Sequence, residues 1–147
     1  MTLALPRDGL SVPVVRRVLK QSMKALGVED SVTADIELAL TEACTNVLDH
    51  VAEGEEYEVS AGIRGNECVI EVVDTGRGFD DEQHGFAQAA SGAESGRGIQ
   101  LMRALVDRVS FTNRGDGTVV HLEKRLRWVP DAPIARLAEA QSDLPRR

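Results

Sequence analysis

A chain of 147 residues is long enough for one domain with a substantial core, and 42% apolar against 28% charged residues is a globular balance. A formal charge of −7 and an aromatic content of only 3% argue against direct nucleic-acid binding, which needs basic surface to displace counterions and rings to stack on bases. The opening MTLALPRDGL breaks any apolar run at Pro6, Arg7 and Asp8, so neither a signal peptide nor a membrane span is expected and the chain reads as cytoplasmic.

Residues 2–5 read as a short first strand, stopped by Pro6 and a turn at Asp8–Gly9. A helix is expected from Ser11, with Pro13 tolerated in its first turn, an apolar stripe of Val15, Val18, Leu19 and Leu26, and Gly27 as its C-terminal cap. Its other side carries Arg16, Arg17, Lys20 and Lys24, either a solvated face or a docking patch for an acidic partner. Asp30 or Ser31 caps a second helix running to about Val51, with Ile36, Leu40, Ala43, Val47 and Leu48 inward. Two strands, Tyr57–Arg64 and Glu67–Asp74, flank Gly65–Asn66 as a tight hairpin. Residues 75–98 lack a period and read as a loop, followed by a helix over about Ile99–Asp107 and strands near Arg108–Asn113 and Thr118–Arg125. From Trp128 onward, Pro130, Pro133 and Pro145 suggest a loosely attached tail (128–147) behind a domain spanning 1–127, with one helical turn around Ile134–Ala140. Cys44 and Cys68 have no metal spacing and read as buried, reduced thiols. The expected fold is a two-layer α/β sandwich, with helices on one face of a mixed, largely antiparallel sheet.

Four short motifs can carry chemistry. Glu42, Asn46 and His50 recur every four residues and share one stripe of the second helix, a spacing that a polar outer face would also produce. Asp74-Thr-Gly76-Arg-Gly78 leaves a strand. An ionised Asp there accepts hydrogen bonds only, which suits an exocyclic amine, and the glycines let a ligand lie against backbone. Gly96-Arg97-Gly98 opens a helix, whose N-terminal N–H groups favour phosphate. Gly117-Thr118 starts the last strand with a hydroxyl. Neither G-x-x-x-x-G-K-[ST] nor G-x-G-x-x-G occurs, so a P-loop and a dinucleotide-binding fingerprint are excluded at the level of motif.

In this order the four motifs resemble the Bergerat (GHKL) ATPases: E-x-x-x-N, D-x-G-x-G, G-x-G and G-T, over about residues 2–126. The size, together with Leu40-Thr-Glu-Ala-Cys-Thr-Asn46-Val-Leu-Asp-His50, is similar to that of stand-alone bacterial anti-sigma factors that are also serine protein kinases. The resemblance implies ATP and Mg²⁺ as cofactors. It also implies a sigma factor as the sequestered partner, a STAS-domain anti-anti-sigma protein as phosphoacceptor, and a possible homodimer. It makes Glu42 the catalytic general base, Asn46 the Mg²⁺ ligand, and Asp74 the acceptor of the adenine amine, backed through water by Thr118. Gly76, Gly78, Gly96 and Gly98 would shape the pocket and lid. Glu94 stands where some of these kinases carry a lid Arg, and Arg97 or Arg77 is the candidate substitute. That departure keeps a second function open, an ATP-dependent regulatory binding module without significant kinase activity.

Overall fold

The computed structural model describes residues 1–49, 56–74, 93–114, 117–134 and 136. Along the chain it has β1 (Thr2–Pro6), α1 (Ser11–Leu26), α2 (Asp30–Asp49), β2 (Glu56–Arg64), β3 (Glu67–Asp74), α3 (Ala93–Leu105), β4 (Arg108–Arg114) and β5 (Gly117–Arg125). The strands form one sheet in the order β1-β2-β3-β5-β4. All four pairings are antiparallel, so the mixed character expected of the sheet is absent among the described strands.

Alternation along the strands decides which face is covered. In β3, Cys68, Ile70, Val72 and Asp74 are buried while Glu67, Val69, Glu71 and Val73 are half-exposed. The buried set is in register with Ala61, Val59 and Tyr57 of β2 and with Val120 and Leu122 of β5. Against this face pack Val15, Leu19 and Met23 of α1, Ile36, Leu40, Ala43 and Val47 of α2, and Met102 of α3. The helices therefore lie on one face, and α2 contacts both α1 and α3. The opposite face mixes Val69, Val73 and Val119 with a polar cluster in which His121 sits between Glu71 at 3.2 Å and Glu123 at 3.0 Å.

The local stops follow from the sequence. Asp8 organises the entry to α1: its carboxylate accepts the Leu10 N–H at 2.9 Å and its carbonyl accepts the Ser11 N–H at 2.9 Å. Gly27 ends α1 at φ 92°, donating to Lys24 O, while the next N–H, of Val28, reaches Met23 O at 3.0 Å. The turn between β2 and β3 puts Gly65 at φ 60°, as its place in a hairpin predicts.

Two expectations are corrected. α3 begins at Ala93 rather than near Ile99, so Gly96 and Gly98 lie within its first two turns and not in a preceding loop. The segment after β5, expected to hang loosely from Trp128, is tied down over its first residues. Trp128 bridges Val28 and donates its indole N–H to Asn66 Oδ1 at 3.3 Å, Val129 N donates to Gly27 O at 2.7 Å, and Ala132 is buried against Gly27. Residues 137–147, with most of the helical turn expected at Ile134–Ala140, lie outside the described residues, as do Val51 and His50.

Candidate functional site

Glu42, Asn46 and Asp49 follow one another at helical spacing and face a cleft of about 220 Å³ whose other wall is Gly98, Ile99 and Met102 of α3; Thr45 completes the lining. The approach of the two helices is close enough to explain the glycine. A Cβ built on Gly98 would lie 3.0 Å from Glu42 Oε2. The cleft is rich in oxygen donors of the kind hard divalent cations take, although no group of three or more His, Cys, Asp or Glu among the described residues is arranged to hold a metal alone. Asn46 with one neighbouring carboxylate nevertheless fits Mg²⁺, which commonly takes few protein ligands and completes its shell with phosphate and water.

Asp74 closes β3 and Thr118 opens β5. Because the two strands are antiparallel neighbours, with Val73 opposite Val119, both residues arrive at the same end of the sheet. Both are buried, Asp74 at 1% exposure. Asp74 Oδ1 lies 3.0 Å from Nη1 of Arg7, whose Nη2 donates to the Val47 carbonyl of α2 at 3.0 Å. One guanidinium thus joins the end of β3 to the helix carrying Glu42 and Asn46. Tyr57, in register with Asp74 on β2, hydrogen-bonds to Ser11 and lies beside Cys44; burial pushes both the Tyr57 hydroxyl and the Cys44 thiol up to about 12.

Of the residues singled out in the sequence, Glu42, Asn46 and Gly98 meet at the cleft, while Asp74 and Thr118 share one end of the sheet and are not among the residues lining it. Gly96 lies within α3, Arg97 is exposed and outside the cleft lining, and Gly76 and Gly78 fall outside the described residues. Sequence reasoning passed over Asp49 and Arg7. The spacing from Glu42 and Asn46 would have found Asp49. Arg7 carries no such signal, since its partners are 40 and 67 positions away.

A cleft walled by two helices and lined with carboxylate and amide oxygens is a candidate ligand site. Residues 5–124 match the family model of the histidine kinase-like ATPase domain, and the chain belongs to that family. ATP is the ligand the family description implies. Among curated relatives it is similar to an anti-sigma F factor of Thermoanaerobacter sp. (strain X514), 32% identical over 98 residues that cover 62% of this chain and 68% of the relative. It is also similar to the serine-protein kinase RsbW of Halalkalibacterium halodurans, 29% identical over 84% of this chain and 82% of the relative. RsbW of Bacillus subtilis is 26% identical over 78% and 79% respectively. A crystal structure of the RsbU and RsbW domains of a Mycobacterium tuberculosis protein shares the fold, with a TM-score of 0.65 at 22% identity. That match covers 88% of this chain and 34% of the solved one.

Proposed function

We propose that this chain is an anti-sigma factor with ATP-dependent serine protein kinase activity, which sequesters a sigma factor and phosphorylates a STAS-domain anti-anti-sigma protein in the cytoplasm. The observation that carries the reading is the Glu42 carboxylate set directly against Gly98 in the cleft, one helical turn from Asn46. Glu42 takes the proton from a serine hydroxyl as that oxygen bonds to the terminal phosphorus and the phosphorus–oxygen bond to the ADP leaving group breaks. Asn46 holds Mg²⁺, which when bound neutralises charge on the phosphate oxygens. Asp74 receives the adenine amine, Thr118 supports it through water, and Gly76, Gly78, Gly96 and Gly98 shape the pocket. The similarity to anti-sigma F and RsbW proteins supports both halves of the function. Homodimer formation belongs to the same proposal.

Partner docking falls to α1. Arg16, Arg17, Lys20 and Lys24 are exposed and line a groove of about 520 Å³ with Pro13, Gln21 and Glu37, and among the described residues none of the four makes an ion pair. In a chain of net charge −7 this is concentrated positive potential suited to an acidic protein surface. No helix among the described residues is long and apolar enough to cross a membrane. Incubation with Mg·ATP and candidate STAS proteins, scored by intact mass, tests the proposal. Addition of one phosphoryl group to serine is the expected result. Sigma-factor binding without any transfer would instead favour the regulatory module that lacks kinase activity, the reading Glu94 keeps open.

A further inference from the structure

The ion pair between Arg7 and Asp74 is the most buried one among the described residues, with side chains 10% and 1% exposed. None of the four sequence motifs contains Arg7. It follows β1 directly, and its guanidinium contacts both Asp74 Oδ1 and the Val47 carbonyl. The pair fixes the direction in which the buried Asp74 carboxylate points. A carboxylate accepts hydrogen bonds and does not donate them. The distinction matters for a purine, because adenine offers an amine at its six position where hypoxanthine and guanine offer a carbonyl oxygen.

Resting on the reading that Asp74 receives the purine ring, we propose that Arg7 is a specificity-determining residue of the nucleotide site. By fixing the direction of the Asp74 carboxylate, it sets an acceptor that selects a base bearing an amine over one bearing a carbonyl. The second bond, to the residue following Asn46, fixes that carboxylate relative to the helix that faces the phosphates. Base selection and phosphate placement are thereby tied through one side chain.

Calorimetry with Mg·ATP and Mg·ITP on the wild type, Arg7→Met, Arg7→Lys and Asp74→Asn decides the matter, with thermal melts confirming that each is folded. The wild type should prefer ATP, and Arg7→Met should narrow the ATP-to-ITP ratio by about tenfold or more. Arg7→Lys, which keeps the charge, should retain most of the preference. If Arg7→Met melts below the assay temperature, Arg7→Gln, uncharged but still a donor to the Val47 carbonyl, carries the same comparison. Equal weakening of ATP and ITP would make Arg7 a support of the fold alone. Tighter ATP binding without the arginine would make it a competitor of the base. Either result overturns the proposal. Asp74→Asn reads the underlying assignment separately, since unchanged ATP affinity there would remove the purine from this end of the sheet whatever Arg7 does.

Discussion

A methyl group at residue 98 would sit 3.0 Å from Glu42 Oε2, so the carboxylate must move by a few tenths of an ångström to admit it. Gly98→Ala should therefore depress phosphoryl transfer more than nucleotide affinity, measured as kcat against the ATP dissociation constant. Reduced affinity with kcat intact would show that Gly98 serves the nucleotide and not the base. Glu42→Gln asks the complementary question. It preserves size and helix but cannot take a proton, and loss of a general base typically lowers rates by about 10²–10⁴. ATP and sigma-factor binding should persist in the same preparation, giving an inhibitor that no longer resets itself. Transfer at the wild-type rate would remove Glu42 from the chemistry. The stripe bearing Glu42 was legible in the sequence because three polar positions recur at helical spacing. Arg7 was not, because a lone arginine after a proline gives no hint of a partner at residue 74.

α1 has two separable features, one at its C-terminal end and one along its exposed side. At the end, Gly27 adopts φ 92° and lies so close to the returning chain that a Cβ would meet Ala132 Cβ at 2.5 Å. Gly27→Ala combines a left-handed backbone penalty with overpacking, and a loss of about 2–4 kcal/mol is expected in chemical denaturation. Stability equal to wild type would mean that the segment after β5 yields freely. Along the side, reversing Arg16 and Lys20 to Glu should slow association with the sigma factor, most visibly at low salt, while leaving stability unchanged. Equal on-rates would reduce the basic groove to a solvated face. Both features were visible in sequence, as a terminal glycine and a charged stripe. The start of α3 was not, since two glycines in four residues read as a breaker. Packing against α2 overrides that propensity, and the missing Cβ at residue 98 is what permits the approach.

For the molecule as a whole, burial of ionisable groups opposes alkali. It pushes Cys44 up to about 12 and Cys68 up to about 11 from 9.0, and Tyr57 up to about 12 from 10.0. An unfolded chain releases these protons at the ordinary values, so their contribution to stability is complete below about pH 9 and lost as the pH rises toward 12. Melting temperatures should hold near neutrality and then fall steadily to about pH 11; a flat profile would show that the thiols ionise as readily folded as unfolded. Strand pairing carries a consequence of another kind. Two of the four pairings, β2–β3 and β4–β5, are hairpins, whereas β3 meets β5 only across a seam between them. Asp74 ends the first hairpin and Thr118 follows the turn of the second, so neither half alone contains the proposed nucleotide site. A ligand that recognises only the joined halves stabilises the completed fold by mass action, about 2.7 kcal/mol at a hundred times its dissociation constant. ATP would then act as a latch on the seam, and the chain's lifetime against proteolysis would rise and fall with the energy charge of the cell.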